Sequence, residues 1–334
     1  MRAHPTRPFP FLALLLPITM AACNGIRSGE APDAGAIVRA GFAPSVRIAR
    51  LGAAGGDPEG LAGLRAAFVE RNPGYDVEWA QSLDDLTPTQ RTRVAFVQAG
   101  EGEGTLIAAE AGVSVTSGLT VGDIVLVRAG ERLRAAGGLA ALVFTVPVEP
   151  PADLPGFVRP DWDPRITDQP GGCAEETGAY RRILLTWKEE VGPFVYHALN
   201  AHRVRISDSF THYHPVDGGF DEFYLVQMVQ PGARLLTSDR VERIESPAGV
   251  SGEELEGLLH ASSPSTGDLI YMPRGTIHRG LGGVLAQVIT VPGFRPGAEV
   301  GVDHHLRAIA ELFGLEGDPR LPYHEAASSS AVIK

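Results

Sequence analysis

Short runs of β-branched and aromatic residues, each closed by Gly, Pro, Asp or Ser, recur along most of this chain. Such runs predict strands at 91–98 ("RTRVAFVQ"), 123–129, 140–146, 181–187, 202–207, 222–228, 268–272 and 284–291. Helical signals are confined to three places. Asp57 before Pro58 is a cap followed by a first-turn proline, opening a helix that stops before Asn72-Pro73-Gly74. Ser251 and Glu254 have capping-box spacing and predict a helix over 251–261, with His260 near its end. A third helix runs from Asp303 to a Gly314 stop. Many short strands, frequent turns and few helices predict an all-β fold of antiparallel sandwiches or barrels.

Composition adds organisation. With 334 residues the chain has room for two average domains. Residues 148–178 are dense in Pro, Gly and Asp and read as a linker between two segments of similar size. The expected layout is a leader at 1–22, a tether at 23–42, β segments at 43–147 and 179–300, and a C-terminal helix and tail at 301–334. The last residues, "HEAASSSAVIK", are expected to fray. A formal charge of −11 excludes general affinity for nucleic acid or an anionic membrane surface.

The leader has Arg2 and Arg7 ahead of an apolar "FPFLALLLPITM", a stretch too short to span a bilayer. The "MAAC" that follows resembles the lipobox of bacterial lipoproteins. This implies cleavage before Cys23, lipidation of that cysteine, and export to a membrane face as a lipid-anchored protein. Cys173 is then the remaining thiol, which excludes an internal disulfide.

Candidate chemistry lies in "FTHYHPVDGGFDEFYLV", residues 210–226. On a strand His212 and His214 project from one face and can converge on a point. Taken alone, the pair is as compatible with a solvated strand as with a metal site. Further on, "GDLIYMPRGTIH" places Gly267, Pro273, Gly275 and His278 at fixed intervals. The Pro-Gly turn supplies a corner that can swing His278 back toward the strands.

Together these segments resemble the two motifs of the cupin superfamily: His-x-His followed by Glu on the next strand, then Gly-x5-Pro-x-Gly-x2-His. The resemblance covers roughly residues 180–295. It implies a jelly-roll β-barrel holding one divalent metal on His212, His214, Glu222 and His278. Fe, Mn, Zn and Ni all suit such mixed N/O ligands. Seven residues separate His214 from Glu222, more than the family usually has, so Asp221, or no carboxylate, remains an alternative to Glu222. The Asn usual after the last histidine is absent, since "RGLGG" follows.

The first segment has the same rhythm without the ligands. Gly122, Asp123 and Gly130 fall where the second motif puts them, but Arg128 stands in the proline position and Leu133 in the histidine position. The chain is thus similar to a bicupin, two jelly-roll cupin barrels with one live site. A metal-dependent enzyme is the implied function, acting on a small organic acid or a phenolic or sugar-derived substrate. Dioxygenase-like oxidation is favoured over decarboxylation or isomerisation. The alternative is a lipid-tethered module that binds a metal or small ligand without catalysis. No nucleic acid partner is implied; a homodimer is expected by analogy. His197 and His202 read as edge or cap residues, His304 and His305 as surface residues at a helix start, and His260 as the end of a short helix.

Overall fold

Thr92–Ala99 is buried along almost its whole length, and its two faces organise the N-terminal half. Val94 and Phe96 face one core with Phe144, Phe223, Tyr271 and Ile289. Ala95 and Val97 face another with Leu106, Leu119, Val125 and Leu133. A strand buried on both faces reads as a continuous apolar run, and its two-residue period decides which side chain serves which core. These facts come from a computed structural model, which describes residues 37–52, 56–108, 112–170, 180–317 and 322–334. The leader, Cys23, residues 24–36 and Cys173 lie outside the described residues.

The fold is mostly β, in curled sheets, with few and mostly short helices. Thr92–Ala99 belongs to a five-stranded sheet with Asp76–Ala80, Ile124–Val127, Ala140–Val146 and Phe157–Val158. A four-stranded sheet of Asp85–Leu86, Gly102–Ile107, Ser114–Leu119 and Arg132–Ala136 covers its odd-numbered face. The other face packs on a twelve-stranded sheet built mainly from residues beyond 180.

Two N-terminal strands join that larger sheet. Val38–Ala40 pairs in parallel with Leu259–Ser262, and Arg47–Arg50 pairs antiparallel with Asp268–Met272. Residues 148–170 also pack down, burying Leu154, Val158 and Ile166 in the core between the halves. Helix α1, Pro58–Arg71, is wedged into the same core. Asp57 caps it by accepting from the Gly60 N–H at 2.9 Å, and Phe68 meets Phe223 at 5.0 Å between ring centroids.

The larger sheet closes on itself through one long strand, Ile277–Val291. Its first residues pair with Arg234–Ser238; its later ones lie between Asn200–Asp208 and Asp221–Val229. Gly282 and Gly283, with φ of +78° and +107°, let the strand turn the corner, and a Cβ at Gly282 would stand 2.7 Å from the Gly232 carbonyl oxygen. Alternation then sorts the side chains. Val204, Ile206, Tyr224, Val226, Val284, Ala286 and Val288 fill one end of the barrel with an apolar cluster. Continuing the same inward register, Asn200, His202, Glu222 and Thr290 make the other end polar.

Two expectations change. The 251–261 helix is only α3, Gly252–Leu255, after the four-residue α2, Val241–Ile244. The capping box is present, but Gly257 turns at φ +73° and Leu259–Ser262 leaves as a strand paired to Leu235–Thr237, so His260 is a strand residue. Nor does the tail fray. Val332–Lys334 lies along Glu299–Gly301, with the Glu299 and Lys334 backbones exchanging two hydrogen bonds of 3.0 Å. Helix α4, Asp303–Phe313, ends at Gly314 in the left-handed conformation as expected. No helix among the described residues is long and apolar enough to cross a membrane.

Candidate metal centre

His212 sits on the two-residue strand His212–Tyr213, directly opposite His278 in the antiparallel register. His214 follows two residues later, and its carbonyl accepts from the Gly275 N–H at 2.7 Å. The Pro273–Gly275 turn is therefore fastened to the backbone of one histidine while it delivers another. The imidazole centroids lie 4.3 Å (His212–His278), 5.1 Å (His214–His278) and 5.4 Å (His212–His214) apart. All three side chains are buried, each offering a ring nitrogen within 4.8 Å of the others.

The rings are held in place. The Nδ1 of His212 lies 3.1 Å from the Phe210 carbonyl, and that of His278 lies 3.2 Å from the Thr276 carbonyl. These contacts assign the proton to Nδ1 and leave the Nε2 lone pair free, the usual way a ligating imidazole is oriented. Phe210 stacks on His212 at 4.4 Å and Phe220 packs on His214 at 3.9 Å. Nε2 of His214 and of His278 is buried without a hydrogen-bond partner among the described residues. Buried imidazole nitrogens are not left empty at no cost. Their convergence fits a divalent ion, and the donor set suits Mn, Fe, Zn or Ni.

Electrostatics favour neutral rings at two of the three histidines. Burial holds the pKa of His212 and His214 well below the ordinary value, and mutual repulsion with His278 adds to this. His278 is different: burial opposes its charge, but the Glu222 carboxylate overrides burial and raises its pKa.

Glu222 and Asp221 are separated by the strand's alternation. Glu222 points inward, its carboxylate 3.4 Å from Nε2 of His278 and 3.8 Å from Nε2 of His214. Asp221 points outward and is fully engaged elsewhere. It accepts from Asn72 Nδ2 at 2.6 Å, from the Tyr271 hydroxyl at 2.7 Å and from the Arg274 N–H at 2.9 Å. The guanidinium groups of Arg71 and Arg274 stand 3.6 and 3.4 Å from it. Asp221 ties helix α1 to the barrel, which leaves Glu222 as the carboxylate beside the histidines.

Other groups come to the site that the sequence reading did not single out. Glu299, folded in by the paired tail, is a buried carboxyl whose pKa burial and the Glu222 charge push up to about 7. Arg181, Thr186 and Thr290 line a cavity beside Glu222. Their sole local signal is alternation: Thr290 lies in the inward phase of "VLAQVITV". His202, taken as an edge residue, also lines this cavity, and burial followed by the Arg181 charge keeps it neutral. His197 is exposed, while His304 and His305 lie half-buried on the first turn of α4. Tyr213 alternates away from the ligands, and its hydroxyl donates to Glu245 at 2.7 Å.

No protein-family profile matches this chain, and no curated protein matches it in sequence. Among solved structures it is similar to the oxalate decarboxylase of Lactobacillus farciminis in a formate complex, with 14% identity over 76% of this chain and 85% of that one, and a TM-score of 0.44. It is also similar to the oxalate decarboxylase of Bacillus subtilis at pH 4.6, with 13% identity over 79% of this chain and 84% of that one, and a TM-score of 0.42. Another structure of the Bacillus enzyme, in work on its Mn(II) centres, gives 13% identity over 79% and 78% of the two chains, and a TM-score of 0.43. At this level of similarity the chain's own residues carry the functional reading.

Proposed function

We propose that this chain is a metal-dependent enzyme that acts on a small organic acid at one divalent ion, held by His212, His214, His278 and Glu222. The observation that carries the reading is the convergence of three buried imidazoles, two with unpartnered Nε2 atoms, beside one buried carboxylate. An ion there supplies Lewis-acid polarisation and, if it is Mn or Fe, redox chemistry with dioxygen. The protein supplies the rest. Neutral His212 and His214 are ready to donate lone pairs at neutral pH, and Glu222 offsets part of the ionic charge. Glu299, with a pKa near 7, is the group able to hold or release a proton beside a bound ligand. Trp187 and Phe294, stacked at 4.2 Å, limit access of water to the cavity beside Glu222.

Oxidation by dioxygen is the favoured reaction, with decarboxylation the nearest competitor. Metal analysis of the purified protein tests the reading. The expected result is about one equivalent of Mn or Fe, lost in His212→Ala, with oxygen uptake or carbon dioxide release on adding small acids. A protein that takes up no divalent metal even after supplementation would sink it. Export and lipid attachment at Cys23 belong to the same proposal, and mass spectrometry of the mature N-terminus tests them.

A further inference from the structure

The strand that carries His212 is two residues long, so its place is set by its neighbours and not by a long ladder of its own. His212 lies between His278 on one side and Gly301 on the other, and Tyr213 pairs with Val300. His278, by contrast, belongs to the 15-residue strand Ile277–Val291, and His214 is tied by its carbonyl to Gly275. Just before His212 the chain is gripped by residues far along the sequence. The Thr211 carbonyl accepts from the Val302 N–H at 2.8 Å, and the Thr211 N–H donates to Asp303 Oδ2 at 2.6 Å. The other oxygen of Asp303, Oδ1, accepts from the His324 N–H at 2.7 Å.

Asp303 opens helix α4, where an acid suits the helix dipole and ordinarily stays in water or caps its own helix. This one is 1% exposed, and its partners are backbone groups 92 and 21 residues away. A buried carboxylate is costly unless donors answer its oxygens. Here each oxygen takes one N–H, whereas an amide would turn its NH2 toward one of those donors. Arg279, the residue after His278, holds Asp208 at 3.0 and 2.7 Å, and its charge favours the ionised form of Asp303. The stretch from Asp208 to His212 is thus fixed at its start by Arg279 and near its end by Asp303.

We propose that Asp303 is a positioning residue of the metal centre. Its hold on the Thr211 N–H fixes where the His212 imidazole stands relative to His214 and His278, and its hold on the His324 N–H ties that position to residues 322–334. The proposal rests on the reading of the three histidines as a metal centre. A ligand must be held within about 0.5 Å of its productive place, and losing a group that orients one typically costs about 10- to 100-fold in metal affinity.

Calorimetric titration of the metal-free full chain with Mn(II) and with Zn(II) tests this, using Asp303→Asn, which keeps the side chain's shape. Its Kd for the metals that the wild type binds should rise at least about tenfold, measured where circular dichroism shows the variant folded. Asp123→Asn is the control. It alters a buried carboxylate of the other half that accepts from the Thr120 N–H at 2.9 Å, so it should lose stability and keep its metal affinity. Unchanged affinity in Asp303→Asn, or an equal loss in Asp123→Asn, overturns the inference and leaves the centre standing. A wild-type chain that binds neither metal overturns both. If Asp303→Asn does not fold, hydrogen exchange of the wild type decides. Metal should protect the amides of 322–325 more than those of 92–99, because a contact that strengthens metal binding is strengthened by it in return. Equal or smaller protection at 322–325 overturns the inference.

Discussion

The turns at 120–133 and 265–278 are built alike and end in opposite chemistry. In each, a glycine with positive φ (Gly122 at +101°, Gly267 at +91°) donates its N–H to a valine carbonyl of a central strand, Val97 or Val226. In each, the next aspartate is buried and accepts from an N–H three residues back, Thr120 to Asp123 at 2.9 Å and Ser265 to Asp268 at 2.8 Å. A second positive-φ glycine follows eight residues after the first, Gly130 or Gly275. Three residues later stands Leu133 in one half and His278 in the other. Four residues before the paired valine stand Arg93 and Glu222. Leu133 joins Leu106 and Leu119 in an apolar interior; His278 joins two more imidazoles. The halves even exchange hydrogen bonds, Gln98 to the Val226 carbonyl and Gln287 to the Gly122 carbonyl. Backbone geometry is therefore retained where side-chain chemistry is not. Turn glycines and their aspartates answer to the fold, whereas the residues that follow are free to fill a core or hold an ion.

The sharpest way to break the comparison is to make the second half like the first. His278→Leu puts the Leu133 solution at the metal centre. Metal affinity is expected to fall about a thousandfold or more, roughly 4 kcal/mol, because one ligand is gone. The metal-free variant should keep its fold, because leucine fills the imidazole's place, although it leaves the Glu222 carboxylate without the group that stood 3.4 Å away. Metal content and urea unfolding with and without chelator check both parts. A variant that unfolds in chelator while the wild type does not would mean that His278 is structural.

Asp221 marks where the halves differ on their outer faces. It anchors Asn72, Tyr271 and the Arg274 backbone at once, while Thr92, its counterpart by position from the paired valine, makes one hydroxyl contact to Glu149 at 3.1 Å. Asp221→Ala leaves those donors buried and unmatched. A stability loss of about 3 kcal/mol is expected, against less than about 1 kcal/mol for Thr92→Val, both read by denaturant midpoint.

The converse substitution sharpens the contrast. Leu133→His places one imidazole among leucines with no partner set. It should bind no metal and cost about 2 kcal/mol. Metal uptake at this position would show that a single histidine is enough to revive the site.

Legibility in the sequence followed the same division. Strands carrying β-branched or aromatic runs, such as Ala140–Val146 and Asp268–Met272, announced themselves. Gly102–Ile107, Ser114–Leu119 and Arg132–Ala136 did not, because their sheet leaves many positions exposed and tolerates Gly, Ser and Arg there. The helix read over 251–261 ended early because pairing of 259–262 with 235–237 outweighed a capping box of local reach. At the site, His212, His214 and His278 were readable as a set because strand period and turn geometry are local. Arg181, Thr290 and Glu299 were not, since each reaches the cavity only when the barrel closes and the tail pairs with 299–301.

Acid sensitivity is the smallest effect per group, and it belongs to one half, because residues 43–147 contain no histidine. His214 has a folded pKa held well below its unfolded value of 6.5, chiefly by burial. The unfolded chain therefore binds a proton below about pH 6.5 that the folded chain refuses, so stability falls as pH drops through this value. It keeps falling until the depressed folded pKa is reached, at up to about 1.4 kcal/mol per pH unit for each such group. His212 has the same sign; His278, raised by Glu222, has the opposite one and acts only above about pH 6.5. A difference between two chains isolates one histidine. Metal-free wild type should lose about 1.2 kcal/mol more than metal-free His214→Phe between pH 6 and pH 5, as measured by urea unfolding. Hydrogen exchange over the same interval should show amides of 200–229 and 277–291 losing protection before those of 92–99 and 140–146. Equal loss in both chains, or simultaneous loss in both halves, would place the acid-sensitive group outside the three-histidine cluster.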